Sequence, residues 1–278
     1  MFLAVSLIVC GDTAGKALGG MGVHPFVIAW MRFALGLVLL APFLGPVRVN
    51  VARLPDRWLI LRGALIAGAI SSILTALRTE PIANVFGAFF IGPVVSYVLS
   101  RLVLQERTTW LRSLLIVTGF VGVLMVVQPG AGFRPNMIFA LLAGSFYGCF
   151  LALTRRMTAH HGNGAMLFSQ LFWGMVVLTP FAAFHAGSVS AAGSGTGLTL
   201  IVISALASAV GNYLIVRMSR TAPGTVVAPL IYLQLISAAI MGWLVFDALP
   251  NLLATAGLAV IAASGLASLW FARAELGR

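Results

Sequence analysis

Apolar residues in this chain gather in ten long runs, and this pattern restricts the fold more than any other feature of the sequence. Each run holds about 17–24 residues, which as a helix is long enough to cross a hydrocarbon layer of ~30 Å. Hydrophobic residues make up 60% of the 278 residues and charged residues only 8%, so the chain lacks the polar surface that a water-soluble domain needs. We predict an all-α integral membrane protein of ten transmembrane helices, at 2–18, 23–44, 58–77, 82–104, 110–127, 137–153, 165–184, 198–216, 225–246 and 249–272.

The charge balance is strongly basic, with 17 Lys and Arg residues against 6 Asp and Glu and a net charge of +11. In a chain of apolar spans this excess is typical of short cytoplasmic loops, and we expect no nucleic-acid partner. Alternating the loops leaves Lys16, Arg78 and Arg134 on one side, with Arg32 inside the second span. The other side, which holds both termini, is therefore predicted to be cytoplasmic. Its thirteen arginines are Arg48, Arg53, Arg57, Arg62, Arg101, Arg107, Arg112, Arg155, Arg156, Arg217, Arg220, Arg273 and Arg278.

The two halves of the chain resemble each other in sequence order, which predicts five-helix repeats at 1–130 and 134–278. The turns that end at Pro81 and Pro223 align, and the first and sixth spans share a Gly-x-x-x-Gly step. Because five is an odd number, the second repeat enters the membrane from the opposite side. Inverted repeats are typical of alternating-access transporters, whose substrate site lies near the membrane midplane. The shared glycines are Gly11, Gly15, Gly144 and Gly148.

Several short motifs resemble those of one known family. The fourth predicted span closes with the residues 104–107, Leu-Gln-Glu-Arg, which resemble the Leu-Gly-Glu-Arg signature of EamA-type transporters in the drug/metabolite transporter superfamily. The stretch 76–83 resembles the family's entry to the same helix, and Arg32 lies where the family often has an arginine. Gln105 departs from the usual glycine, and the second copy at 246–249 lacks the Glu-Arg pair.

The resemblance implies the ten-helix EamA fold and a secondary transporter of small metabolites in the bacterial inner membrane. The length of the chain and its lack of tails are similar to the amino-acid exporters of the family, those for aromatic amino acids among them. We therefore expect a monomer in the lipid bilayer that exports amino acids by alternating access through a cavity between the repeats. The alternatives are a transporter of other metabolites and a polytopic enzyme that acts on a lipid.

Asp12 and Lys16 are the leading candidates for substrate binding. They lie four residues apart on the first span, so they share a face and can pair. Gly11, Gly15 and Gly19 form a ridge on which another helix can pack closely, and the charged pair lies about 100° around from it. One hypothesis is that the pair contacts the ammonium and carboxylate of a zwitterion. The other is a structural ion pair, with Lys16 extending to the outer surface.

Polar residues in other spans supply further candidates. Serine and threonine often bond their own helix, whereas Asn212 and Gln234 need a partner on another helix or a wet cavity. Pro93 and Pro229 lie inside their spans and are predicted to kink them, either as gating points or as static bends. The substrate-binding candidates are Ser71, Thr75, Tyr147, Asn212, Tyr232 and Gln234.

Motifs of catalysis are missing from the sequence. There is no His-Glu-x-x-His, no Gly-x-Ser-x-Gly and no phosphate-binding glycine loop. The six acids are scattered without the spacing of metal ligands. We expect no enzyme activity, no cofactor and no metal.

Overall fold

The computed structural model describes a helical protein, and no strand occurs in the part of the chain that it describes. That part comprises residues 1–45, 51–52, 54–80, 82–106, 109–127, 135–246 and 251–276. Its α-helices are α1 (Phe2–Gly20), α2 (Pro25–Leu40), α3 (Arg57–Thr79), α4 (Ile82–Phe89), α5 (Ile91–Leu102), α6 (Trp110–Val127), α7 (Met137–Met157), α8 (Asn163–Phe184), α9 (Gly195–Thr221), α10 (Gly224–Ile231), α11 (Gln234–Phe246) and α12 (Leu252–Leu276). Two 3₁₀ segments, Ala41–Phe43 and Ala186–Ala192, follow α2 and α8.

Most of these helices can cross a membrane, judged by length and composition. The eight segments that are long and apolar enough among the described residues are Phe2–Gly20, Pro25–Phe43, Arg57–Thr79, Val85–Leu102, Met137–Met157, Asn163–Phe184, Gly195–Thr221 and Gly224–Val245. Trp110–Val126 and Leu252–Ser268 are apolar helices of shorter length. A multi-pass, all-helical membrane protein is confirmed, while the count of ten spans remains a prediction. Pro81, which ends the turn before the fourth predicted span, lies outside the described residues.

Two of the predicted spans are interrupted near their middles, where we predicted kinks in continuous helices. The first breaks at Phe90, between α4 and α5, and the second at Tyr232 and Leu233, between α10 and α11. Pro93 lies in the first turn of α5, where a backbone N–H has no acceptor within the helix. Its lack of an N–H is therefore tolerated, and it favours the start of a new helix. Pro229 lies inside α10, three residues before the second break.

The bundle is held together by close helix pairs and has an apolar outer surface. α1 packs along α9, α3 lies against α7 and α8, and α6 pairs with α12. In the last pair a Cβ on Gly257 would come within 2.6 Å of the Gly122 carbonyl oxygen, so the two backbones touch. Phe43, Phe184 and Leu252 are more than four-fifths exposed, as expected for side chains that face lipid rather than water.

Candidate functional site

A buried ion pair joins α1 to α2 near the middle of both helices. Arg32 donates from Nη1 to Asp12 Oδ1 at 2.8 Å, and the two side chains are only 3% and 7% exposed. The same guanidinium donates from Nε to Ser204 Oγ on α9 at 2.7 Å and from Nη2 to the Gly11 carbonyl. A charge at this depth requires such partners, and here all three guanidinium nitrogens have one.

The structure pairs Asp12 with Arg32 on the neighbouring helix, a partner that the sequence analysis did not name. Lys16 lies one turn further along α1 and lines, with Asp12 and Phe86, a small cavity beside the ion pair. It also lines a larger cavity of about 120 Å³ near Arg78, where α1 ends. Arg32 can reach α1 because Gly15 has no side chain. A Cβ at this position would come within 2.6 Å of Arg32 Nη2.

A central cavity lies against the ion pair, between helices of both halves of the chain. Its volume of about 30 Å³ is enough for one or two water molecules. One wall is apolar and consists of a face of α3, with residues at the i, i+3, i+4, i+7 spacing of a helical stripe, together with Ile8 and Phe89. The α3 residues are Ile66, Ala69, Ile70 and Ile73, and the polar lining consists of Asp12, Arg32, Tyr147, Ser208, Asn212 and Gln234.

Four buried polar atoms around this cavity have no hydrogen-bond partner. They are Tyr147 Oη, Ser208 Oγ, Asn212 Oδ1 and Gln234 Oε1. Each belongs to a residue that is at most 5% exposed. Burying such atoms without a partner costs about 1–3 kcal/mol each, so a convergent group of four points to a ligand or water that the cavity receives. Four such groups around one small space identify it as the best candidate site.

The two interrupted helices meet beside this cavity. The rings of Phe90 and Tyr232, one at each break, contact edge to face at 5.6 Å. Phe89 precedes the first break and Gln234 follows the second. Both line the cavity, and the Phe89 ring lies 5.2 Å from that of Tyr147. Discontinuous helices in corresponding positions of two halves are a typical location of a transporter's binding site.

The predicted site residues divide into those that line a cavity and those that do not. Asp12, Tyr147, Asn212 and Gln234 come together around the central cavity. Tyr232 is fully buried at the second break, with its hydroxyl unpartnered. Ser71 and Thr75 instead donate to carbonyls of their own helix, at Ala67 and Ser71, and line neither of the cavities beside Asp12.

Sequence reasoning placed Arg32 inside a span without assigning it a role. The available signal was charge, because Asp12 was the only acid predicted at the same depth and an arginine there needs an anion. Ser208 and Phe89 had no comparable signal. Serine is common in membrane helices, and the placement of Phe89 depends on a helix break that periodicity does not predict.

A second polar cluster closes the end of the bundle where α3 begins and α7 and α9 end, which we call the arginine-rich end. Glu106, after α5, accepts the backbone N–H groups of Gly224 and Thr225 at 3.1 Å each. Arg155 on α7 donates to the same carboxylate at 3.0 Å and to the Ser219 carbonyl at 2.8 Å. The N-cap residue of α10 is Pro223, which supplies no side-chain acceptor, so Glu106 caps α10 from the segment that follows α5.

Arg62 is the most deeply buried cation of the described chain, with no exposed surface. Its guanidinium donates to Thr154 Oγ1, the Met166 carbonyl and Gln170 Oε1 at 2.8 Å each, and it lies 4.6 Å from the Phe150 ring centre. These contacts join α3, α7 and α8. Because every guanidinium nitrogen donates to one of these neighbours, Arg62 has a structural role between the three helices.

Two histidines meet at the opposite end of the bundle, where α2 begins and α8 ends. The rings of His24 and His185 stack at 3.6 Å, and the His24 backbone N–H donates to Ser188 Oγ at 3.0 Å. Burial, His185 and Arg78 together lower the pKa of His24. Within the described residues no group of three or more His, Cys, Asp or Glu side chains could hold a metal ion.

The sequence profile of the EamA-like transporter family matches the chain twice, over residues 1–128 and 134–270. The chain belongs to the EamA-like transporter family. The family resemblance suggested by the Glu106 motif and Arg32 is thus confirmed. A solved crystal structure shares the EamA-like fold, with a TM-score of 0.76 over 97% of this chain and 95% of that chain at 15% identity.

Curated relatives of this EamA-like chain are transporters of small metabolites. An S-adenosylmethionine uptake transporter of Rickettsia bellii is 25% identical over 86% of this chain and 81% of its own length. A riboflavin transporter of Brucella anthropi is 27% identical, over 92% and 90%. A pseudopaline exporter of Pseudomonas aeruginosa is 24% identical, over 83% and 81%. These relatives support small-metabolite transport in general, and the expected likeness to aromatic amino-acid exporters finds no support in them.

Proposed function

We propose that this EamA-like protein is a secondary transporter that moves a small metabolite with an amino-acid group across the bacterial inner membrane. The observation that carries the proposal is the convergence of four unpartnered polar atoms on the central cavity. The cavity lies midway along α1 and α2, where the two interrupted helices meet. We further propose that the two profile matches are inverted five-helix repeats, with this cavity between them.

Alternating access needs a closure on each side of the site, and the contacts of Glu106 supply one. The carboxylate connects the segment after α5 to the start of α10 and to Arg155 on α7, and we propose that these contacts close the arginine-rich end. We propose that this end faces the cytoplasm, because short cytoplasmic loops carry an excess of arginine. The small central cavity then corresponds to a closed state, and a cargo larger than a few atoms requires the helices to separate.

The proposed cargo follows from the site and from the relatives together. S-adenosylmethionine, the cargo named for the Rickettsia relatives, contains an α-amino acid, which was also the class expected from the sequence. The direction that we propose is export, on the resemblance to amino-acid exporters. The relatives' names include both an uptake transporter and an exporter, so flux is best measured in both directions.

The test is transport by purified protein in liposomes. Labelled S-adenosylmethionine, phenylalanine and riboflavin are offered as separate cargoes, with uptake and counterflow recorded for the wild-type protein. We expect protein-dependent flux of at least one amino-acid-containing compound. Gln234→Leu, which removes one cavity acceptor, is expected to reduce that flux about tenfold, as loss of a hydrogen bond to a bound cargo predicts.

Ser71→Ala is the matched control, because it removes a buried hydroxyl that bonds only its own helix. Its flux is expected to equal that of the wild type. Flux that is insensitive to Gln234→Leu, or absent for all three compounds in both directions, would contradict the proposal.

A further inference from the structure

The free polar atoms of the central cavity are mostly hydrogen-bond acceptors. Asn212 donates from Nδ2 to the Ser208 carbonyl at 2.8 Å, and this carbonyl can only accept, so the amide orientation is set. Asn212 lines the cavity, and its Oδ1 is buried without a partner. Gln234 contributes a second unpartnered amide oxygen. The hydroxyls of Tyr147 and Ser208 can both donate and accept.

Arg32, the cation among the residues named on the cavity lining, is already engaged by protein groups. Arg32 uses Nε on Ser204, Nη1 on Asp12 and Nη2 on the Gly11 carbonyl. Its charge is matched by the Asp12 carboxylate, which also lines the cavity. A carboxylate placed here would meet two amide oxygens and a like charge, with the two hydroxyls as its donors, whereas an ammonium would find acceptors for all three of its N–H groups.

The shape of the cavity fits the same conclusion. Its volume of about 30 Å³ admits one or two groups of the size of a water molecule, and an ammonium group is of similar size. Phe89 and Tyr147 line it with aromatic rings whose centres are 5.2 Å apart. Aromatic faces attract cations and give nothing comparable to an anion.

From these observations we infer that the central cavity recognises its cargo by a protonated primary amine, and that a cargo's carboxylate contributes nothing to binding there. The amine donates to Asn212 Oδ1 and Gln234 Oε1, with the hydroxyls of Tyr147 and Ser208 as further acceptors, while the apolar face of α3 contacts the carbon skeleton. This inference rests on the proposed function and restricts its substrate class to amines.

A set of three compounds with one carbon skeleton tests the inference directly. Phenylalanine carries the amine and the carboxylate, phenethylamine carries the amine alone, and 3-phenylpropionate carries the carboxylate alone. Thermal stabilisation of the purified wild-type protein is measured at matched concentrations of each compound. We expect phenylalanine and phenethylamine to raise the Tm by similar amounts and 3-phenylpropionate to leave it unchanged.

Variants separate recognition by the cavity from general effects of a cation. In Asn212→Leu the apparent affinity for phenethylamine is expected to fall about tenfold or more, as loss of a hydrogen bond to a charged group predicts. Gln234→Leu should do the same, and Ser71→Ala should leave the affinity unchanged. The Tm of each variant without compound reports folding, and Gln234→Leu keeps the inference testable if Asn212→Leu fails to fold.

The outcomes distinguish the amine inference from the transport function. Stabilisation by 3-phenylpropionate equal to that by phenethylamine would overturn the inference, as would no stabilisation by either amine. Flux of riboflavin, which has no primary amine, that neither amine inhibits would also overturn it while leaving the transport function intact. An absence of flux for every cargo, with amine binding preserved, would contradict transport and leave the amine site standing.

Discussion

At the scale of single residues, the ion pair between Asp12 and Arg32 depends on the absence of a side chain at Gly15. The space that its Cβ would take is occupied by the guanidinium of Arg32. Removing one partner of a buried pair typically costs 3–5 kcal/mol, so a displaced guanidinium is a serious defect. Gly19, one turn further on, has no atom within 4 Å of its ideal Cβ position.

These two glycines allow a matched comparison on one helix. Gly15→Ala is expected to lower the free energy of unfolding by about 1–3 kcal/mol through overpacking against Arg32 and Leu74. Gly19→Ala is expected to raise it by up to about 1 kcal/mol, because alanine is the better helix former. Thermal unfolding in detergent measures both, and equal Tm values for the two variants would contradict this account of Gly15.

His24 is expected to make the stability of the protein depend on pH. Its pKa is lowered in the folded protein from an ordinary value of 6.5, first by burial and then by His185 and Arg78. A folded-state pKa below the unfolded one means that the stabilisation is complete above about pH 6.5 and is lost as the pH falls through the lowered value. Protonation also removes Nδ1 as the acceptor for the Phe26 N–H.

The measurement is the Tm between pH 7.5 and pH 5, a range that extends roughly one unit or more to each side of the ordinary histidine pKa. The wild-type Tm should fall more steeply than that of His24→Asn, which keeps a neutral N-cap acceptor. A parallel decline in the two proteins would show that His24 is not the source.

At the scale of elements, the start of α10 is capped by a residue from the segment that follows α5. With Pro223 as the N-cap residue, the first amide groups of α10 have no local side-chain acceptor. The Glu106 carboxylate accepts from them instead, with Arg155 as its counter-ion. This connects the end of α5, the end of α7 and the start of α10. The connection gives a physical role to the Glu of the Leu-Gln-Glu-Arg motif, which the sequence presented only as a family resemblance.

Replacing Glu106 with glutamine is expected to loosen this end of the bundle. One neutral oxygen cannot serve both amides and Arg155, so amide hydrogen exchange in the 224–227 segment should rise about tenfold, in line with the loss of a charged cap. Arg156→Gln is the control, because Arg156 lies over the Trp58 ring and lines the same pocket as Glu106. Unchanged exchange in Glu106→Gln would rule out the capping role.

At the scale of the whole molecule, the arrangement of charges bears on how transport is driven. Proton antiport needs an acid at membrane depth that changes its protonation state during the cycle. Asp12 is the deep acid among the described residues, and its carboxylate is held by Arg32. Glu106 caps a helix at one end of the bundle, away from the central cavity.

We therefore expect gradient-driven transport of the cargo without an obligatory proton partner. In liposomes, counterflow and downhill uptake of labelled S-adenosylmethionine should proceed at the same rate with and without an imposed pH gradient. Uphill accumulation that follows the pH gradient and disappears in Asp12→Asn would contradict this expectation, because it would show that the pair titrates during the cycle.

The sequence by itself determined the class of the protein. Long apolar runs favour lipid as their surroundings, and a helix bonds all of its backbone polar groups internally there. It also placed Asp12, Tyr147, Asn212 and Gln234 among the candidates, since polar side chains at membrane depth need a partner or a cavity. Ser71 and Thr75 shared that polarity, and nothing in their spacing distinguished a hydroxyl that bonds its own helix from one that faces a cavity.

Only the tertiary structure decided which groups meet. Asp12 pairs with Arg32 on the next helix, because Gly15 lets the guanidinium approach α1. Likewise, the breaks at Phe90 and Tyr232 bring residues far apart in the chain to one cavity. Such pairings depend on how helix faces pack against each other, and local periodicity contains no information about the partner face.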